Sequence, residues 1–189
     1  MDNKLETRLM EVRAREQSEA GEMIVEGYAV VFNSETKLYD GLYEQIDRGA
    51  FDGVDFSDVR AFYDHQTGNL LGRTKSDTLS LTIDDTGLKF RLLLPNTQLG
   101  RDVYELVQRG DLSQCSFGFY VEDERWAEVD GVYHRNVTKI SELVEISLVS
   151  IPAYDDTSVS VAQRSVKALK ERKRKLELEC ELLSLALKS

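Results

Sequence analysis

The pattern of apolar and polar residues predicts a chain made mainly of β-strands. Short segments rich in β-branched and aromatic residues recur along most of its length, separated by turn-forming residues. The clearest hairpin signal is Asp84-Asp85-Thr86, between residues 78–83 and 87–94. Further strands are predicted over residues 5–14 (as an edge strand), 23–32, 42–47, 58–65 (followed by a turn at 66–69), 70–73, 117–126, 132–139 and 143–151.

Helical periodicity occurs in two segments. Thr97 is placed to cap a helix that ends at Gly110, and an apolar stripe follows it with i, i+4, i+7 and i+8 spacing. Residues 162–188 contain no Gly or Pro and predict a second helix, which either forms a coiled coil or packs as an amphipathic helix. Its heptad-like seam, broken at Lys173, is Leu169, Lys173, Leu176, Cys180, Leu183 and Leu187.

These elements predict an α+β, mainly β fold. With seven or more strands and one helix before residue 155, we expect a mixed or antiparallel β-barrel, closed or nearly closed. Flanking helices and a separate C-terminal helix complete the predicted architecture.

Charge divides the chain into an acidic body and a basic tail. The net charge of −10 argues against general nucleic-acid binding. Residues 161–189 nevertheless hold 8 of the 24 Lys/Arg and only 4 of the 34 Asp/Glu. We therefore predict two domains, residues 1–157 and 158–189. No apolar run is long enough to span a membrane, the first residues lack a signal-peptide layout, and two cysteines make no disulfide framework, so we expect a cytoplasmic setting.

Candidate chemistry begins at Ser116, a hydroxyl on the apolar segment that follows the predicted helix stop. A buried hydroxyl is costly unless it is paired. We interpret Ser116 as the nucleophile of a serine protease, and the alternative is a hydroxyl bonded to a neighbouring strand. Cys115 beside it would point to the opposite face and is interpreted as core filling.

A serine nucleophile needs a base and a group that orients the base. Of the two histidines, His65 ends a predicted strand, whereas His134 lies within a half-exposed one, so His65 is the candidate base. The alternative is a loop histidine satisfied by Asp64 or by backbone. Glu145, the one charge in an otherwise apolar strand, is the candidate orienting group unless it faces outward; Asp64 is second. No phosphate loop or zinc pattern predicts a cofactor or metal.

Several short blocks, in this order, resemble the prohead (capsid maturation) proteases of tailed phages. The blocks are Gly27-Tyr28-Ala29-Val30-Val31-Phe32, Arg48-Gly49-Ala50-Phe51, Asp64-His65, Gly72-Arg73-Thr74, Gly87-Leu88, Leu112-Ser113-Gln114-Cys115-Ser116-Phe117-Gly118-Phe119 and Glu145-Ile146-Ser147-Leu148-Val149-Ser150-Ile151-Pro152-Ala153.

That family is similar to the herpesvirus assemblin proteases, so the resemblance implies a β-barrel with His65 as base and Ser116 as nucleophile. Glu145 falls where the herpesvirus enzymes carry a second histidine and would be the third member. The chain departs from those enzymes in the next segment, where Pro152-Ala153-Tyr154 replaces a glycine and paired arginines. Backbone N–H groups near Ala153 and Tyr154 are the candidate oxyanion donors.

The resemblance implies a serine endopeptidase with a Ser-His-Glu triad that works inside an assembling procapsid in the host cytoplasm. It would cleave the scaffolding segment of the major capsid protein, and itself. Its expected partners are that capsid protein and further copies of the chain, as a homodimer or higher oligomer, without nucleic acid or membrane. The basic tail would carry the protease into the shell or be removed. The alternative is a catalytically inactive internal scaffolding or assembly protein.

Overall fold

A computed structural model describes residues 5–14, 21–150 and 156–186. Within them the chain forms ten strands, two α-helices and a short 3₁₀ helix at Thr74–Ser76. In chain order the main elements are β1 (Glu6–Ala14), β2 (Ile24–Val31), β3 (Thr36–Tyr39), β4 (Leu42–Ile46), β5 (Arg60–Tyr63), β6 (Gln66–Arg73), β7 (Leu79–Ile83), β8 (Gly87–Leu93), α1 (Gln98–Arg109), β9 (Gln114–Val129), β10 (Val132–Val149) and α2 (Asp156–Ala186).

The strands form a mixed sheet in the order β3-β4-β10-β9-β1-β2-β8-β7, and β5 and β6 branch from β10. Strand β10 is parallel to β4 and β5, while the other pairs are antiparallel. The mainly β, mixed fold is confirmed, but the predicted barrel closure is wrong. Among the described strands, β6 pairs only with β5 and β7 only with β8, so no ladder of hydrogen bonds joins the two ends.

Strand β1 lies in the middle of the sheet, between β9 and β2, and not at an edge as predicted. Its charged residues suggested exposure, yet Glu6 is 4% and Arg8 9% exposed. Arg8 Nη2 donates to Glu6 Oε2 at 2.7 Å and to Glu44 Oε2 at 2.6 Å, and Arg135 Nη2 donates to Glu6 Oε1 at 2.8 Å. Buried charges are tolerated when they are paired in this way, and the mutual pairing explains why the polar pattern misled.

Strands β9 and β10 form a long hairpin around Asp130-Gly131. Both turn residues have positive φ, 50° and 78°, as a two-residue hairpin turn requires. Two strands were predicted over residues 132–139 and 143–151, but β10 runs unbroken as far as Val149. The residues between the predicted strands are β-bulges, which shift the register without ending the strand. Residue 151 lies outside the described residues.

Helix α1 has the predicted ends. The Thr97 side chain accepts a hydrogen bond from the Gly100 N–H at 3.2 Å, and Gly110 closes the helix with φ of 82°. Its buried side, which includes Val103 and Val107, contacts β1 and β2. Several flanking helices were expected, whereas α1 is the one α-helix described before residue 150.

The chain divides into two compact units, Met1–Tyr154 and Asp155–Ser189. The second unit is described through α2, whose side chains from residue 170 to residue 183 are exposed. Among them are Leu176, Cys180 and Leu183 of the predicted seam, while Leu187 and the side chain of Leu169 lie outside the description. Neither described helix combines the length and the apolar character that crossing a membrane requires.

Candidate active site

Three neighbouring strands, β5, β10 and β9, build the face on which the candidate residues lie. In the antiparallel β9–β10 pair, Ser116 is opposite Ser147 and Gly118 is opposite Glu145. On the other side of β10, Ser147 pairs with Phe62 of β5. Residues directly opposite in an antiparallel pair project from the same side of the sheet, as do residues at i and i+2. Ser116, Glu145 and Ser147 therefore share one face.

His65 reaches this face from the tip of the β5–β6 hairpin. Tyr63 pairs with Gln66, so Asp64 and His65 form a two-residue turn, and both have positive φ, 51° and 56°. Left-handed backbone costs a residue with a Cβ about 1–2 kcal/mol. Asp64 offsets part of that cost because its carboxylate accepts hydrogen bonds from Ser150 N at 2.7 Å and Oγ at 2.9 Å. The turn thus consists of Asp64 and His65 themselves, not of the four residues after them as predicted.

His65 and Glu145 are joined by a hydrogen bond although they lie 80 residues apart in the sequence, with His65 Nδ1 at 2.8 Å from Glu145 Oε1. A carboxylate can only accept, so Nδ1 carries the proton and Nε2 is the basic nitrogen of the ring. The Glu145 side chain is 8% exposed and the imidazole 27%. Glu145 is therefore a buried, paired carboxylate and not an outward-facing charge.

Both oxygens of the Glu145 carboxylate have partners. Ser147 Oγ donates to Oε2, and Ser147 is 0% exposed. Gly118 leaves the space that the carboxylate occupies, because a Cβ at Gly118 would lie 3.0 Å from Glu145 Oε1. Ser147 is not among the residues predicted for the site. Its place two residues after Glu145 on a predicted strand was the signal that could have found it.

Cys115 belongs to the core and not to this face. It is 0% exposed, and its Sγ lies 3.8 Å from the Tyr28 carbonyl oxygen. Burial, and then the negative charge of Glu145, raise the pKa of the Cys115 thiol, which disfavours the thiolate needed for nucleophilic attack. Ser116, itself 1% exposed, is thus the residue of this neighbouring pair that lies on the face with Glu145.

His134 lies elsewhere, where β10 pairs with β4. Its Nδ1 is 2.5 Å from Glu35 Oε1 and its ring stacks on Tyr43. The imidazole that contacts the candidate site is accordingly that of His65. Across the described residues, no group of His, Cys, Asp and Glu side chains is arranged to hold a metal ion. The candidate oxyanion donors near Ala153 and Tyr154 lie outside the described residues.

The sequence is similar to one family of known proteins. The family model described as caudovirus prohead serine protease matches residues 8–172. Among solved structures, the bacteriophage T4 capsid assembly protease, gp21, aligns with a TM-score of 0.42 and 8% identity, over 75% of this chain and 98% of that chain. No match is found among curated proteins.

Proposed function

The chain belongs to the family of caudovirus prohead serine proteases, and on that premise we propose that it is a capsid maturation endopeptidase with Ser116, His65 and Glu145 as its catalytic triad. The observation that carries this assignment is the hydrogen bond between His65 Nδ1 and Glu145 Oε1 on the sheet face that also carries Ser116. A nucleophile, a base and a carboxylate that orients the base are the groups that serine proteolysis requires.

In the proposed reaction each of the three groups has its own role. As Ser116 Oγ attacks the scissile carbonyl carbon, its proton passes to His65 Nε2, and Glu145 stabilises the imidazolium through Nδ1–H. The imidazolium then gives that proton to the leaving amine, so the peptide C–N bond breaks and an acyl-enzyme remains. Water, deprotonated by the same nitrogen, hydrolyses the ester and restores the Ser116 hydroxyl.

Two serines share this face, and a hydrogen bond of the Ser147 side chain argues against Ser147 as the nucleophile. The Ser147 hydroxyl donates to Glu145 Oε2, so its proton is directed at the carboxylate and not at the imidazole. Ser116 lies on the neighbouring strand, opposite Ser147. Its proposed base is the His65 imidazole and not the Glu145 carboxylate. We therefore assign nucleophilic attack to Ser116.

The proposed substrates are the scissile bonds of the capsid protein's scaffolding segment and of the protease itself. Family membership supports action on capsid proteins inside a procapsid assembling in the host. The basic run on α2, Arg172-Lys173-Arg174-Lys175, is exposed and is proposed to bind an acidic surface of the shell during assembly, with the protease present as a homodimer or higher oligomer.

The triad is tested by labelling with a fluorophosphonate, which forms a covalent bond to an activated serine, followed by mass mapping of the labelled peptide. Wild type should carry the label on Ser116. The His65→Ala variant should be labelled about 10⁴-fold more slowly, as expected when a triad member is removed. Ser141→Ala is the matched control, because Ser141 lies on β10 but is exposed, and it should react like wild type.

The substrate is tested by co-expression with a capsid protein that retains its scaffolding segment. Wild type should yield a shortened capsid protein, whereas Ser116→Ala and His65→Ala should leave it full-length. A capsid protein of the same length with wild type and with both variants would support the inactive assembly role instead.

In the labelling experiment, a label mapped to Ser147 would show that the nucleophile is wrongly assigned.

A further inference from the structure

Ser147 is a buried hydroxyl whose one proton is directed at the candidate site. It is 0% exposed, and its Oγ donates to Glu145 Oε2. The other carboxylate oxygen, Oε1, lies 2.8 Å from His65 Nδ1. The carboxylate is thus held at both ends, by the imidazole on one side and by a residue of its own strand on the other.

The second contact restricts a side chain that would otherwise have freedom to turn. Glutamate has three rotatable side-chain bonds, and one hydrogen bond at Oε1 leaves the plane of the carboxylate free to rotate about it. Ser147 lies two residues further on the same strand face, so its position relative to Glu145 is fixed by the backbone. A hydrogen bond to a charged group is also stronger than one between neutral groups.

We propose that Ser147 is a positioning residue, whose hydroxyl orients the Glu145 carboxylate and thereby keeps the His65 proton on Nδ1. The inference rests on the proposed function, since Glu145 and His65, which Ser147 would orient, are the carboxylate and the base of the proposed triad. The orientation itself can be measured without substrate. Ser147 would not touch the scissile bond, and its effect would pass entirely through Glu145 and His65.

The tautomer of His65 is the direct readout. The chain has two histidines, so His134→Gln leaves a single imidazole, and two-bond ¹H–¹⁵N correlation spectra of untagged protein distinguish its Nδ1–H and Nε2–H forms when the ring is neutral. The Nδ1–H form should dominate in this background. Ser147→Ala should shift the tautomer ratio about tenfold toward Nε2–H, as loss of one charged hydrogen bond predicts.

The variant Ser147→Thr separates the hydroxyl from packing, because it keeps the hydroxyl and changes the volume. A tautomer ratio restored to near wild type by Thr supports positioning. An unchanged ratio in Ser147→Ala overturns the proposal, and so does an equal shift in Ala and Thr, which would indicate packing alone. Ser141→Ala, an exposed serine on the same strand, should leave the ratio unchanged. Thermal unfolding by circular dichroism verifies that each variant is folded.

Fluorophosphonate labelling then distinguishes failure of this inference from failure of the proposed function. If wild type reacts at Ser116, Ser147→Ala should lower the maximal labelling rate about tenfold without changing the reagent concentration at half-maximal rate, and Thr should restore the rate. If wild type does not react at all, the proposed function fails, while the tautomer ratio still decides whether Ser147 orients the pair.

Discussion

At the scale of single residues, the candidate site has a glycine, Gly118, where a larger residue would crowd the Glu145 carboxylate. Gly118 stands opposite Glu145, and the space a Cβ would take is filled by the carboxylate. A glycine in a strand interior weakens the strand, so its presence here has a local reason. It leaves room beside β9 for the carboxylate, whose Oε1 lies 2.8 Å from His65 Nδ1.

The variant Gly118→Ala tests that relation. A Cβ at 3.0 Å from Oε1 and 3.3 Å from Cγ of Glu145 would force the carboxylate to move by a few tenths of an ångström from its position beside His65. We expect cleavage of the capsid protein to slow by about 10–100-fold, because small misplacements of catalytic groups are costly. The mutant should unfold at nearly the wild-type temperature.

Gly68→Ala is the matched control, since a Cβ at Gly68 meets no atom within 4 Å. It should cleave at the wild-type rate. A Gly118→Ala enzyme as active as this control would show that the carboxylate does not need the space.

The sequence was enough to select candidate residues for the site but not to predict the contacts between them. Ser116 and Glu145 were selected as polar groups on apolar segments, and His65 as the histidine at the end of a predicted strand; none of these choices needs coordinates. The partnership of Ser147 with Glu145 depends on side-chain rotamers, and the turn at Asp64-His65 depends on two positive φ angles, which neither residue type demands. Such features are decided by tertiary contacts.

At the scale of elements, paired charges hold β1 inside the sheet. Glu6 and Glu44 are buried and receive hydrogen bonds from Arg8 and Arg135, and Arg135 also binds Glu124. Burial on its own would raise the pKa of Glu6, but the hydrogen bonds and charges of Arg135 and Arg8 outweigh it, so the pKa of Glu6 lies below its usual range. The carboxylate form of Glu6 is therefore part of the folded state.

The variant Glu6→Gln should lower the free energy of unfolding by about 1–3 kcal/mol, because it removes the negative charge that accepts hydrogen bonds from Arg8 and Arg135 and leaves the two guanidinium groups with Glu44 and Glu124. Because the folded pKa is depressed, the stability that Glu6 contributes is complete above the ordinary glutamate pKa of about 4.3 and is lost as the pH falls through the lower folded value. The gap between mutant and wild type in urea unfolding should therefore be constant near neutral pH and shrink below about pH 4.3.

Glu122→Gln serves as the control, because Glu122 forms an exposed pair with Lys139 at 2.7 Å. It should change the unfolding free energy by no more than about 1 kcal/mol at any pH. If the two substitutions change the free energy of unfolding equally, then burial of the Glu6 ion pairs adds nothing to the stability of the fold.

The buried charges of Glu6, Arg8, Glu44 and Arg135 show why the order of the strands in the sheet was harder to predict than the strands themselves. Alternation identified β1 as a strand, but its charges indicated an edge, since no local signal reveals that Arg135 lies across the sheet. Predictions from local chemistry, such as the Thr97 cap and the hairpin at Asp84-Asp85-Thr86, were confirmed. Barrel closure, which depends on which distant edges meet, was wrong.

At the scale of the whole molecule, the chain combines an acidic unit with a helix that carries a basic run. Replacing Arg172, Lys173, Arg174 and Lys175 by Gln should reduce the protease recovered in purified procapsids severalfold, because their charge is proposed to bind the shell. Replacing the exposed residues Glu177 and Glu179 on the same helix is the control and should not reduce recovery. Full recovery of the Gln variant, or of a chain lacking residues 161–189, would refute a targeting role.

The central place of β1 has a consequence for biosynthesis. Its Glu6 pairs with Phe119 of β9, so β1 leaves the ribosome well before the strand with which it pairs. Long-range pairings of this kind slow folding and leave the nascent chain exposed to chaperones. Because Ser116 lies on that same late strand, opposite Leu9, the candidate site cannot assemble until β9 and β10 have been translated.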